Sequence, residues 1–136
     1  MSPTLAGIRV AVVTVSDRSF AGAREDLTGP ALCGGLAAVN AHLSPRIVPD
    51  DASAIAQVIE DVIADGARAV VTTGGTGIGP RDVTPEATAP LIAVPLPGIP
   101  ELLRQRDAGR TPLVALSRGL AGLTAHEPPA LIINLP

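Results

Sequence analysis

The chain has 136 residues, with 46% hydrophobic and 17% charged residues and a formal net charge of −3, which is the size of one domain with a real core and excludes a disordered tail. All ten basic residues are Arg, so chemistry that needs a lysine is excluded, namely a Schiff base, a PLP lysine or a Walker A lysine. Phe20 is the single aromatic residue, and the acidic balance offers no footprint for nucleic acid. One cysteine, Cys33, and two histidines, His42 and His126, are too few for a clustered zinc site. No apolar stretch reaches the length of a membrane span, so the expectation is a cytoplasmic protein without a membrane partner.

In chain order, residues 8–15 (IRVAVVTV) read as a strand buried on both faces. A polar loop runs to Gly29, and a helix is expected over 31–40, weakened by Gly34 and Gly35. A short strand over 46–48 precedes Pro49-Asp50-Asp51. The helix over 53–64 is the clearest, because Ile55, Val58, Ile59, Val62 and Ile63 form one stripe at helical spacing, with Asp51 or Ser53 as its cap. Residues 69–73 (AVVTT) read as another buried strand. They lead into Gly74-Gly75-Thr76-Gly77-Ile78-Gly79. Thr84, Pro85 and Glu86 read as the cap, first helical position and first-turn acid of a helix reaching about Leu91. A short helix over 98–107 follows, residues 113–116 fit either strand or helix, and 120–124 and 131–135 read as strands. Strands alternating with helices imply an α/β/α sandwich with a mostly parallel central sheet, and ligands in such sheets bind beyond the carboxyl ends of the strands.

Three loops fall at those ends: 16–29, 49–51 and 74–84. The glycine loop can bring its backbone N–H groups close to an anion, which favours phosphate, although a tight connection without a ligand has the same local pattern. It matches neither a dinucleotide fingerprint nor a Walker loop, since Pro80 stands at the third glycine position and no lysine follows. Asp50 and Asp82 each follow a strand. Two carboxylates beside a phosphate site repel the ligand unless a cation intervenes, and Mg²⁺ takes carboxylate and phosphate oxygens together. The alternatives are helix capping for Asp50 and turn closure for Asp82. Asp17 and Asp26 divide evenly between loop structure and ligand contact. Arg18, Arg81 and Arg118 offer bidentate anion contacts, with a solvated surface position as the alternative for each, and Ser117 offers a hydroxyl donor.

The run from Thr73 to Gly77, with Pro80-Arg81-Asp82-Val83-Thr84-Pro85-Glu86-Ala87-Thr88, closely resembles the signature of the molybdopterin adenylyltransferases, the MogA/MoaB-like family of molybdenum cofactor biosynthesis. Thr14-Val15-Ser16-Asp17-Arg18, Ala21-Gly22, Asp26 with Gly29-Pro30, Val48-Pro49-Asp50, Pro97-Gly98, Leu116-Ser117-Arg118 and Leu131 to Pro136 resemble further blocks in the family's order, so the resemblance covers nearly the whole chain. It implies a three-layer α/β/α molybdopterin-binding domain with a mixed sheet, usually a trimer, that uses Mg²⁺ and joins ATP to molybdopterin with release of pyrophosphate. It implies catalytic and metal-binding roles for Asp50 and Asp82. The candidate substrate-binding set is Ser16, Asp17, Thr73, Gly74, Gly75, Thr76, Gly77, Arg81, Thr84, Ser117 and Arg118. A molybdate-insertion protein is the implied downstream partner. Family members continue past Leu135-Pro136 with Gly-x-Pro and a helix, so a single domain spanning 1–136 and truncated at its C-terminus is the expectation. The competing reading is a non-catalytic molybdopterin-binding or scaffolding oligomer, which the intact Arg81 to Pro85 segment disfavours.

Overall fold

Strand β1 (Arg9–Val15) is buried along all but its first residue, as expected of a β-branched run covered on both faces. The computed structural model describes residues 4–136. Around β1 lie β2 (His42–Val48), β3 (Ala69–Thr73), β4 (Val94–Pro95), β5 (Ala121–Leu123) and β6 (Leu131–Leu135), in one mixed sheet of order β2-β1-β3-β6-β5-β4. The first four in that order are parallel, β5 runs antiparallel to β6, and β4, antiparallel to β5, returns to the direction of the first four. The helices are α1 (Asp17–Phe20), α2 (Thr28–Ala37), α3 (Ala52–Ala64), α4 (Thr84–Thr88) and α5 (Gly98–Asp107), with 3-10 turns at Ala89–Leu91 and Pro112–Leu116.

Alternation along β1 divides the layers. Ala11, Val13 and Val15 join Ile55, Ile59 and Val62 of α3 and Ala87 of α4 in one core. Val12 and Thr14 face the other way, toward Gly29, Pro30 and Cys33 of α2. Ile55 and Ile59 are fully buried, and truncating either to Ala costs about 2–5 kcal/mol.

Several element boundaries differ from the sequence expectation for physical reasons. β2 has seven residues rather than three, because it is an edge strand and the missing N–H of Pro45 removes no bond on its open side. α2 begins at Thr28 and runs through Gly34-Gly35, beside whose Cβ positions no atom lies within 4 Å. α4 ends at Thr88 and tightens into a 3-10 turn, since Pro90 has no N–H to continue the helical ladder. Residues 113–116 are neither strand nor α-helix but part of a 3-10 turn capped by the Thr111 hydroxyl. The four-residue α1 and the two-residue β4 are too short for a periodic signal. Among the described residues no helix is long and apolar enough to cross a membrane.

Register places the site. Val15 pairs with Val48, Thr14 with Thr73, and Thr73 with Leu135, so four parallel strands end on one line. Ser16, Asp50, Gly74 and Pro136 therefore emerge together. Antiparallel β5 pairs Ala121 with Ile133, so Ser117 and Arg118 enter the sheet from that same edge.

Candidate active site

Gly74 and Gly75 adopt φ of +96° and +70°, which side-chain-bearing residues rarely adopt. A Cβ on Gly74 would collide with the Val15 carbonyl. One on Gly75 would collide with the Thr84 hydroxyl and lie 3.3 Å from Asp50 Oδ1. On the far side of the loop, Cβ atoms on Gly77 and Gly79 would lie 2.9 and 3.0 Å from Asp82 Oδ2. The glycine loop is thus wedged between the two carboxylates singled out in the sequence.

Asp51, not Asp50, caps α3, accepting the Ala54 N–H at 2.8 Å. Asp50 is free of that task, and its Oδ2 accepts the Asp17 N–H at 2.9 Å while Oδ1 faces Gly75. Asp82 Oδ2 accepts the Gly79 N–H at 2.9 Å, so it does close its own turn, but that bond occupies one of its two oxygens. Among the described residues, Asp50 and Asp82 therefore each present one carboxylate oxygen without a hydrogen bond, beside a backbone loop. Among the described residues no cluster of three or more Asp, Glu, His or Cys stands ready to cage a metal. The chemistry of Asp50 and of Asp82, a hard carboxylate oxygen each, suits Mg²⁺, which rarely takes an all-protein cage and fills its remaining positions with phosphate oxygens and water.

Asp17 Oδ1 accepts the Asp50 N–H, and its Oδ2 accepts from Arg81 Nε at 3.1 Å and Nη2 at 2.9 Å. The Asp50 amide first, and the Arg81 guanidinium second, hold this carboxyl below the ordinary aspartate range. Ser16 caps α1 by accepting the Ser19 N–H. Asp26 accepts from the Thr14 hydroxyl and the Gly29 N–H, tying α2 to the sheet, so its oxygens serve loop structure. Thr73 donates to the Pro136 carbonyl at 3.1 Å.

Thr84 is not the helix cap. It lies inside α4, fully buried, and its hydroxyl donates to the Gly74 carbonyl at 3.0 Å. With only five residues, α4 adds little dipole to the loop. Arg118 braces the loop from outside: its N–H donates to the Thr76 carbonyl, Nε to Gly77 O at 2.9 Å and Nη2 to Asp82 O at 2.8 Å. Its Nη1 meets Glu86 Oε1 at 2.6 Å, which holds the Glu86 carboxyl below its ordinary value. Three of the five guanidinium N–H donors are spent this way, leaving two. Glu86 was expected only as a first-turn acid, and no local pattern marks its partner across the fold. Asn134, buried at 3% exposure, was also not singled out beyond the resemblance, although a lone amide in an otherwise apolar strand is a visible signal.

Two clefts flank the loop. One, of about 340 Å³, is lined by Gly75, Thr76, Gly77, Asp82 and Ser117, with an apolar wall that includes Leu113 and Leu116. The other, of about 570 Å³, opens on Thr73 and Gly74 and includes Ser16, Ser19 and Thr28. Pro136 lines both. The arrangement can seat phosphate oxygens on the turn with a separate ligand group on each side.

Residues 11–136 match the family described as "Probable molybdopterin binding domain". The chain is 44% identical over 121 residues to the molybdenum cofactor biosynthesis bifunctional protein of Synechococcus elongatus, covering 87% of this chain and 38% of that protein. It is 38% identical over 133 residues to the molybdopterin adenylyltransferase of Haemophilus influenzae, covering 95% of this chain and 66% of that protein. It therefore spans only part of the length of either relative. The solved structure of the tungsten cofactor synthesizing protein MoaB from Pyrococcus furiosus superposes with a TM-score of 0.88 at 32% identity, covering 100% of this chain and 84% of that one. A family match over nearly all of the sequence, together with the shared fold, shows that the chain belongs to the molybdopterin-binding domain family of molybdenum cofactor biosynthesis.

Proposed function

We propose that this domain transfers an adenylyl group from ATP to molybdopterin and releases pyrophosphate. The observation that carries the reading is the Gly74 to Gly79 loop, with Asp50 beside Gly75 at one end and Asp82 beside Gly77 and Gly79 at the other. It combines backbone donors for phosphate with carboxylates that tolerate phosphate only across a cation. The names of the curated relatives support the same reaction. Two clefts meeting at one anion cradle suit a reaction that joins two ligands through a phosphorus atom.

In this mechanism a terminal phosphate oxygen of molybdopterin attacks the α-phosphorus of ATP. The new P–O bond forms as the bond to the β-phosphate oxygen breaks, and pyrophosphate leaves with the electron pair. The nucleophile is already ionised, so no base must remove a proton, consistent with a site built without histidine. The work of the protein is orientation and charge stabilisation. The N–H groups of Gly75 and Thr76 and the Ser117 hydroxyl hold phosphate oxygens. Asp50 and Asp82 would hold Mg²⁺, which would supply charge neutralisation on the transferring group. Arg118 keeps the loop carbonyls turned away from the ligand. Exposed Phe20, Leu27, Leu102 and Leu113 support self-association, and a homotrimer is the proposed assembly.

The test is pyrophosphate release from Mg-ATP with and without molybdopterin, with mass spectrometry of the pterin product. Molybdopterin-dependent release with an adenylylated product is expected. Binding of molybdopterin without turnover would turn the reading into a carrier or scaffold.

A further inference from the structure

We propose that the buried chain Thr72–Asn134–Thr88 is a positioning device that ties the glycine turn to the Ser117–Arg118 segment, so that the two halves of the anion cradle hold one geometry. It deepens the adenylyl-transfer reading, and its kinetic consequence rests on that reading.

Asn134 lies in β6 among apolar residues, and a buried amide without partners is costly. Its Oδ1 accepts the Leu120 N–H at 3.0 Å. A backbone amide can only donate, so this bond fixes which end of the side chain is oxygen. Nδ2 then donates to Thr72 Oγ1 at 3.0 Å. Thr88 Oγ1 stands 3.2 Å from Asn134 Oδ1 and 3.0 Å from the Thr84 carbonyl. Its single proton has a third acceptor at the Pro85 carbonyl, 3.4 Å away within α4, so Asn134 Oδ1 is the acceptor outside the helix and couples Asn134 to α4. Thr72 and Thr88 are fully buried.

One branch leads to the turn. One helical turn before Thr88, Thr84 donates its N–H to the Gly75 carbonyl at 3.0 Å and its hydroxyl to the Gly74 carbonyl at 3.0 Å. Both carbonyls of the left-handed pair therefore point at Thr84. In a planar trans peptide the N–H points opposite to the carbonyl, so the N–H groups of Gly75 and Thr76 point away from Thr84. Among the described residues neither meets a protein acceptor. These are the two donors a phosphate would find, and α4 sets their direction.

The other branch leads to Arg118. Leu120 is bonded to Asn134 twice, through its N–H to the side chain and through its carbonyl to the Asn134 N–H at 2.8 Å. Two residues upstream, Arg118 holds the carbonyls of Thr76, Gly77 and Asp82. A single buried amide thus stands behind both supports of the loop.

The test uses the full chain, inorganic pyrophosphate as the calorimetric probe, and amide hydrogen exchange of segments 74–82 and 117–120. Thr88→Val keeps the shape of the side chain and removes the shared proton. It is expected to weaken pyrophosphate binding about tenfold, the loss of one buried hydrogen bond, and to speed exchange in both segments together. Thr88→Ser is expected to restore both. Thr72→Val, which reaches the cradle through Asn134, is expected to act in the same direction, and it carries the test if Thr88→Val does not fold. Unchanged pyrophosphate affinity, exchange that rises in one segment alone, or failure of Thr88→Ser to restore binding overturns the proposal, as does a parent protein that binds no pyrophosphate. Thr88-dependent binding in a protein that transfers no adenylyl group would sink the reaction and leave the positioning device standing. Adenylyl transfer with Thr88-independent binding would do the reverse.

Discussion

Asp17 and Asp50 exchange hydrogen bonds: each carboxylate accepts the other's backbone N–H at 2.9 Å, although 33 residues separate them. The exchange locks the ends of β1 and β2 together and leaves Asp50 Oδ1 facing Gly75. Asp17, grouped with the substrate-binding candidates on sequence grounds, is thereby occupied in holding Asp50 and Arg81.

That arrangement has a measurable titration. Asp17 is held below the ordinary value of 3.8, by the Asp50 amide before the Arg81 guanidinium. A depressed carboxyl contributes stability that is present above its unfolded value and is lost as pH falls through the lower folded one. Carbon NMR titration should place Asp17 below 3.8 in the parent chain. In Arg81→Gln it should move upward yet stay depressed, because the larger cause remains. A midpoint at or above the ordinary value in the parent chain would rule the exchange out in solution.

Asp82→Asn should cost at least about 10²-fold in turnover. Asn keeps an oxygen for the Gly79 N–H, so the loop should survive and the thermal midpoint should stay close to that of the parent chain. Activity assays paired with circular dichroism melts check this. Loss of turnover accompanied by global unfolding would make Asp82 a turn residue and nothing more.

Gly75→Val places a branched side chain at a positive φ and against Thr84. The backbone strain alone is on the order of 1–3 kcal/mol. Chemical denaturation should show that loss, and calorimetry should show no pyrophosphate binding, because the side chain also alters the Gly75 and Thr76 peptide planes. A variant that binds normally would remove the turn from the mechanism.

Light scattering coupled to size exclusion should give the mass of a trimer at micromolar concentration. The motive within this chain is thin polar cover, with only 17% charged residues, and several large apolar side chains in the open. A monomer persisting at the highest soluble concentration would defeat the assembly.

Local chemistry was enough to mark β1, β3 and β6, the stripe of α3 and the glycine loop. Runs of β-branched residues, a 3.6-residue period and missing Cβ atoms are properties of neighbours in sequence. The family motif, read the same way, pointed to Asp50 and Asp82. Arg118 is different. Its residue type suggested an anion clamp, but the fold spends three of its donors on Gly77, Asp82 and Glu86. Asn134 and Thr88 meet across 46 residues because β6 lies beside β3 and α4 returns over the sheet. Strand order and register decided those meetings, and no periodicity encodes them. A hydrogen-bonded pair far apart in sequence leaves no local signature, since each partner alone is only a polar residue awaiting whatever the tertiary structure brings to it.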